Sequence, residues 1–312
     1  MILEPLSNIN LYGLESYFKE CASLYDENRL PNKILFSGKK GLGKSTLAYH
    51  IINYVCSQNE NNKYDKINNV IDVENKSFKL IQNSTHPNFY LIDIFEGKKT
   101  IDIEQIRKMI TYVNKSNFND NPRFVLIDNI ENLNKNSINA LLKIVEEPKK
   151  NLFFILIHNN ETKILPTLIS RCLIFKINLN FKEVVSVANK IVNKNIFEVL
   201  NENLINHYSS PGQIFRLINY ANDKKIDLKN QSLDQILINL IDNNNYKKNT
   251  YVKELLIDLI QFFFVNEYKI SNNKDNFIKT YHDFMSKIYS TNKFNLDEES
   301  LFLEFKTKLL NA

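Results

Sequence analysis

Residues 38–45 have the types and the spacing that bind a nucleoside triphosphate. They match the pattern G-x-x-x-x-G-K-[ST], with an apolar run before them and a helical pattern after them. In such a loop the backbone N–H groups surround the phosphates, Lys44 reaches the β- and γ-phosphates, and the Ser45 hydroxyl ligates Mg²⁺. A glycine-containing turn that binds nothing is the alternative, and the flanking strand and helix disfavour it. The predicted ATP-binding residues of this loop are Gly38, Lys39, Lys40, Gly41, Leu42, Gly43, Lys44, Ser45 and Thr46.

Asp128 is the second residue with the chemistry of such a site. It ends an apolar run, and a P-loop protein needs an acidic residue at the carboxyl end of a neighbouring strand to hold the metal's water shell. We therefore expect Asp128 to share Mg²⁺ with Ser45, although an aspartate here could instead cap the following turn.

The residue after Asp128 argues against efficient hydrolysis. Hydrolysing proteins of this class usually carry glutamate there to polarise the attacking water, whereas Asn129 cannot accept a proton. Glu131 is close in sequence, but its offset of three residues favours a surface or helix-initiating acid over a substitute for that glutamate.

Composition excludes several other classes of protein. The 312 residues are 43% hydrophobic and 24% charged, which is typical of a globular chain with two or three domains. The net charge of +5 permits nucleic-acid contact without requiring it. Three scattered cysteines cannot form a disulfide framework or a four-thiolate zinc site. We find no membrane span or secretory leader and expect a cytoplasmic protein.

Hydrophobic patterning predicts the elements that position these residues. Five short apolar runs suit strands buried on both faces, and amphipathic helical patterns alternate with them, one ending at Glu147-Pro148. The chain is therefore predicted to form a parallel sheet covered by helices. The predicted strands are ILFS (34–37), FYLID (89–93), RFVLID (123–128), LFFILIH (152–158) and LIFKI (173–177).

Beyond about residue 178 the strand signal fades and only helical patterns follow. We predict an α/β P-loop domain over residues 1–178, a small helical domain over 179–228 and an all-helical C-terminal domain over 229–312. The polar stretch 222–232 suggests the second boundary, although helical hairpins would look similar.

Three runs resemble the clamp-loader branch of the AAA+ ATPases: residues 126–148, residues 153–157 and Ser170-Arg171-Cys172. That branch includes the tau/gamma and delta-prime subunits of bacterial DNA polymerase III and the replication factor C subunits. The resemblance covers residues 1 to about 178, and the remainder only in helical outline. It implies a AAA+ P-loop domain with a five-stranded parallel sheet, a helical lid domain and a C-terminal collar domain that joins subunits in a ring.

The resemblance assigns two further site residues. Arg171 would point across a subunit interface and act in trans on the neighbour's ATP, where a fixed guanidinium stabilises phosphoryl charge. Asn159, or the adjacent His158, would read the γ-phosphate, and Asn159 is the better hydrogen-bonding match. Asn159 could equally cap the next turn.

Two features depart from the hydrolysing members of the family. Gly212 stands where gamma-type subunits have an arginine, and the form Ser210-Pro211-Gly212 resembles delta-prime subunits; Arg216 is interpreted as an exposed helix residue. The family's four-cysteine zinc module is reduced to one cysteine and one histidine between Cys56 and His86, so no zinc is expected.

These observations favour a delta-prime-like subunit that assists ATP-dependent loading of a sliding clamp onto primed DNA and hydrolyses ATP poorly itself. Its partners would be gamma/tau and delta subunits, the clamp and primer–template DNA. Phosphate contacts would come from Arg107, Lys108 and Lys143, although a solvated helix face is the simpler interpretation of each. The alternatives are a catalytically active gamma/tau-like ATPase and a P-loop ATPase of recombination or repair.

Overall fold

The fold is described from a computed structural model. It describes residues 4–95, 98–115, 121–146, 151–247, 249–271, 274–294 and 296–310. The predicted helix end at Glu147-Pro148 lies outside these residues.

Five parallel strands form one sheet, in the order β2-β3-β4-β1-β5. All five predicted strands are confirmed. One expectation was wrong: the strand that ends before Asp128, β3, is not adjacent to β1, because β4 lies between them. The strands are β1 Lys33–Ser37, β2 Phe89–Ile92, β3 Arg123–Ile127, β4 Leu152–His158 and β5 Leu173–Lys176.

Helices precede, connect and follow the strands. Helices α1 to α6 belong to the segment that contains the sheet, whereas the chain after β5 is helical, as predicted. The helices are α1 Glu15–Asp26, α2 Lys44–Cys56, α3 Lys76–Gln82, α4 Ile103–Asn114, α5 Lys135–Glu146, α6 Pro166–Ile169, α7 Phe181–Val192, α8 Ile196–Val199, α9 Pro211–Lys224, α10 Leu233–Asp242, α11 Thr250–Ile270, α12 Lys274–Phe294 and α13 Glu298–Phe305.

The central strands β1, β3 and β4 are buried on both faces, which explains their continuous apolar runs. The expectation of burial on both faces was wrong for the edge strands β2 and β5, which expose Leu91, Leu173 and Ile174. Successive side chains of a strand point to opposite faces. Phe124 of β3 therefore packs in the core that contains residues of α1 and α2, and Val125 packs in the core that contains residues of α4 and α5. Each face thus anchors helices whose ends lie at the edges of the sheet.

The chain divides into two compact units. The first comprises residues 1–187 together with 210–212, and the second comprises residues 188–209 and 213–312. The predicted boundary between a lid domain and a collar domain, near residue 228, stays a prediction. Among the described residues, none of the helices has both the length and the hydrophobicity to cross a membrane.

A polar network holds the segment between α2 and β2, for which the sequence predicts no zinc. The Glu60 carboxylate accepts hydrogen bonds from the backbone N–H groups of Lys76 and Ser77 and from the Ser77 hydroxyl. Ser77 in turn lies 3.3 Å from Nε2 of buried His86. Hydrogen bonds therefore connect the remaining histidine to Ser77 and Glu60 of the same segment; the absence of zinc stays a prediction.

His50 makes the first unit sensitive to acid. The ring is buried in α2, with Nδ1 2.8 Å from the Tyr64 hydroxyl and Nε2 3.1 Å from the Asn8 carbonyl oxygen. Burial lowers the pKa of His50 to about 4, against the smaller opposing effect of its bond to Asn8. The folded chain thus keeps this ring neutral at a pH where the unfolded chain protonates it.

We expect the free energy of unfolding to fall as the pH drops from about 6.5 to about 4, by on the order of 2 kcal/mol from His50. The sign follows because only the unfolded state takes up the proton in that window. Urea denaturation across this range should give a shallower pH dependence for His50→Gln. The exposed His282→Gln should keep the wild-type slope, and equal slopes for all three proteins would contradict the assignment.

Candidate nucleotide-binding site

The phosphate-binding loop directly follows β1, and three of its positions need glycine. Gly41 and Gly43 have φ of 84° and 89°, in the left-handed region that L side chains rarely adopt. A Cβ on Gly38 would lie 2.3 Å from the carbonyl oxygen of Ile177. The loop therefore keeps its backbone close to β5 and turns directly into α2 at Lys44.

Lys44 is buried at the start of α2, with 3% of its surface exposed. Its Nζ donates hydrogen bonds to the carbonyl oxygens of Gly38 (2.8 Å) and Lys39 (2.7 Å). Burial lowers the pKa of Lys44 to about 8, and the negative charges of Asp128 and then Glu131 oppose that fall. The lysine is thus a buried cation in reach of its own phosphate-binding loop.

The side chains of Ser45 and Asp128 are in direct contact, and their shared binding of Mg²⁺ stays a prediction. The Ser45 hydroxyl donates to Oδ2 of Asp128 at 2.5 Å, and the N–H of Asn129 donates to the other oxygen at 2.8 Å. Burial, and then the charge of Asp93, raises the pKa of Asp128 to about 6. A hydroxyl beside a carboxylate is an all-oxygen donor set that suits Mg²⁺, so these two residues fit the expected metal site.

A row of side chains crosses the carboxyl ends of β2, β3 and β4. The Asn129 amide donates to Oδ1 of Asp93 (2.8 Å), and its oxygen accepts from the Asn159 amide (2.7 Å). Asn159 is buried, whereas the neighbouring His158 bonds to Ser37 and Thr162. Asn159 is therefore hydrogen-bonded to the residue that follows Asp128. Its expected contact with a γ-phosphate stays a prediction.

Gly212, the residue found where gamma-type subunits have arginine, touches the phosphate-binding loop. Its N–H donates to the Gly41 carbonyl oxygen at 2.9 Å, and a Cβ added to Gly212 would lie 2.8 Å from the Gly41 Cα. This arrangement has no space for any side chain. Arg216 was wrongly expected to be exposed: its side chain is 13% exposed and pairs with Glu254 and Asp258.

Arg171 lies just after α6 and is held by two contacts. Its Nη1 donates to the Thr167 carbonyl oxygen at 2.7 Å, and its Nη2 lies 2.8 Å from Oε1 of Glu146 at the end of α5. About a third of the side chain is exposed. The guanidinium is thus oriented at the surface, where an arginine that acts in trans has to lie.

The DNA candidates Arg107, Lys108 and Lys143 are exposed on α4 and α5. Arg107 pairs with Glu104 at 3.3 Å on the same helix. Their exposure is consistent with phosphate contacts and equally with a solvated helix face.

Sequence reasoning missed Asp93 and Glu146. Glu131 lies in the first turn of the 3₁₀ helix Ile130–Asn132, in keeping with the expected helix-initiating acid. Asp93 follows β2 as Asp128 follows β3, so the shared position after a buried run was the available signal. Glu146 had no local signal, because its partner Arg171 is distant in the chain. The N–H of Asn159 donates to Oε1 of Glu131 at 2.9 Å, which places this acid inside the site.

Comparison with known proteins gives the family. The family profile described as DNA polymerase III, delta subunit matches residues 13–180. The chain is 29% identical over 172 residues to DNA polymerase III subunit delta' of Buchnera aphidicola subsp. Baizongia pistaciae, covering 53% of this chain and 50% of that protein. It is 31% identical over 170 residues to DNA polymerase III subunit gamma of the same organism, covering 53% and 43%.

Among solved structures, a DNA polymerase III gamma subunit-related protein of Thermotoga maritima gives a TM-score of 0.49 at 16% identity, covering 93% of this chain and 95% of that one. The chain spans about half or less of the length of the two Buchnera relatives.

The sheet order, the P-loop and the acid after β3 define a AAA+ P-loop protein with a helical C-terminal part. Since the profile matches more than half of it, the chain belongs to the DNA polymerase III delta subunit family, within which it is delta-prime-like.

Asp93→Asn tests the electrostatics of this site. The substitution keeps an oxygen for the Asn129 amide but removes the charge that raises the pKa of Asp128. Because Mg²⁺ needs the ionised carboxylate, Mg²⁺-dependent affinity for a fluorescent ATP analogue should decline below about pH 6 in the wild type and at lower pH in Asp93→Asn. Binding of the analogue is measured for both proteins at pH values between about 5 and 8. Protonation of the nucleotide affects both proteins equally, so it cancels when their curves are compared.

The surface substitution Asp26→Asn should reproduce the wild-type curve, since Asp26 pairs with Lys66 away from the metal site. Superimposable curves for wild type and Asp93→Asn would show that Asp93 does not control Asp128.

Proposed function

We propose that this chain is the delta-prime-like subunit of a sliding-clamp loader. It binds ATP with Mg²⁺, hydrolyses it poorly, and supplies Arg171 to the ATP site of an adjacent gamma/tau-type subunit. Its further partners are a delta subunit, the sliding clamp and the phosphates of primer–template DNA, contacted through Arg107 and Lys108. The helices after residue 228 serve as its collar in the ring, and residues 179–228 as its lid.

The observation that carries this proposal is the pairing of Ser170-Arg171-Cys172 with asparagine after Asp128. Arg171 is oriented by Glu146 and Thr167 and lies partly exposed, as a trans-acting residue requires. Asn129 uses both ends of its amide within the protein and cannot act as a base. These residues suit support of ATP hydrolysis in a neighbouring subunit better than hydrolysis in this chain's own site.

The geometry also gives support to one alternative, a catalytically active gamma/tau-like ATPase. The loop is complete, and gamma subunits are among the relatives. Robust ATP hydrolysis by the isolated chain, unchanged by Arg171→Ala, would favour this alternative.

Arg171→Ala should lower ATP turnover of the complex with gamma/tau-type and delta subunits by at least about tenfold, because an arginine finger contributes roughly 10³–10⁵ at the site it serves. Steady-state phosphate release measures turnover, and size-exclusion chromatography measures assembly, which should be unchanged. Arg29→Ala, which removes another surface arginine paired with a glutamate, is the matched control. Loss of assembly would make Arg171 structural, and unchanged turnover would remove the proposed role.

A further inference from the structure

Glu131 enters the nucleotide site through a tight turn. Asn129 adopts the left-handed conformation, with φ of 54°, and the 3₁₀ turn Ile130–Asn132 follows it. The N–H of Asn159 then fixes Oε1 of Glu131 at 2.9 Å. The carboxylate is therefore held between the ends of β3 and β4.

The other oxygen of this carboxylate has no hydrogen-bond partner. Oε2 of Glu131 is buried and unpaired among the described residues. A buried acceptor without a partner is energetically unfavourable, and more so when it is charged, so such groups in native proteins call for a functional explanation. The charge of Glu131 is, after that of Asp128, the largest that opposes the fall in the pKa of Lys44, so the carboxylate lies near the P-loop lysine.

Glu131 also has a chemical ability that Asn129 lacks. A carboxylate accepts a proton, whereas the Asn129 amide does not and is already bonded to Asp93 and Asn159. Oε1 is fixed by a backbone donor at the strand end where the γ-phosphate contact is expected, which leaves Oε2 for a water molecule.

We propose that Glu131 is the general base of a slow ATPase reaction in this chain's own site, an inference that rests on the proposed binding of ATP. The carboxylate orients a water molecule and takes its proton as the water oxygen bonds to the γ-phosphorus. The bond from that phosphorus to the β–γ bridging oxygen breaks, and ADP leaves with the electron pair. The proton passes to solvent, so that ATP and water give ADP, inorganic phosphate and a proton.

The test uses an assembled complex in which the neighbouring subunits carry a substituted P-loop lysine, so that only this chain's site can hydrolyse ATP. Glu131→Gln keeps the oxygen that accepts from Asn159 but cannot take a proton. Single-turnover ATP cleavage should fall at least about 100-fold, within the range that general base catalysis contributes. Affinity for a fluorescent ATP analogue should stay within about twofold. Glu27→Gln, which neutralises an exposed carboxylate paired with Arg29, is the matched control and should cleave ATP at the wild-type rate.

A second measurement separates catalysis from support of the fold and needs no nucleotide. Glu131→Gln removes a buried charge and should leave the thermal unfolding midpoint equal to or above that of the wild type. Glu131→Ala, which also removes the acceptor for Asn159, should unfold at a lower temperature. If Glu131 only braces the end of β4, Glu131→Gln will cleave ATP at the wild-type rate, and the proposal is overturned.

The proposal also fails if the wild-type site cleaves ATP no faster than a Lys44→Ala variant with its own P-loop disabled. These outcomes are independent of the Arg171 experiment, which measures turnover in the neighbour's site. In a complex whose neighbours are active, Glu131→Gln should leave the neighbour's turnover unchanged.

Discussion

One charge arrangement organises the site: the buried ammonium of Lys44 and the carboxylates of Asp93, Asp128 and Glu131 at the carboxyl edge of a parallel sheet. Burial disfavours the charged form of Lys44 and of Asp128, and each stabilises the charge of the other. Asp93 adds a further negative charge, which raises the pKa of Asp128. A magnesium-bound nucleotide offers both signs at once, phosphate charge for the lysine and a divalent cation for the carboxylates. The site is therefore complementary to that class of ligand before any specific contact is considered.

The sequence predicted the central strands because burial on both faces leaves an apolar run that local patterning detects. The order of the strands could not be predicted, because it depends on crossovers between distant segments. The neighbour of β1 on that side of the sheet is β4, whereas β3 was expected there. Asp128 was found from the P-loop context, but Asp93 needed the register. Ile92 pairs with Ile127 at the ends of the two strands, so the acids that follow them, Asp93 and Asp128, lie side by side. The contact between Glu131 and Asn159 could not be predicted, because the sequence offset of three residues does not reveal the left-handed turn at Asn129.

The two departures from hydrolysing relatives are built into the local structure. Asn129 combines a positive φ, which asparagine tolerates better than glutamate, with an amide that both donates to Asp93 and accepts from Asn159. A glutamate could not supply that donor. Gly212 has no space for a side chain beside Gly41. Glutamate at position 129 or arginine at position 212 would therefore disturb the local structure of this site.

The contact between Arg171 and Glu146 has a different physical role from the buried charges of Lys44 and Asp128. Both side chains are a third or more exposed, and ion pairs at that exposure contribute only about 0–1 kcal/mol to stability. Its effect is therefore on orientation: the carboxylate and the Thr167 carbonyl each bind one terminal nitrogen of a planar group that carries five N–H donors. Other donors can still face outward, and an exposed carboxylate is readily exchanged for a phosphate oxygen. A weak pair of this kind orients the guanidinium without opposing the transfer to a stronger anion that the proposed role of Arg171 requires.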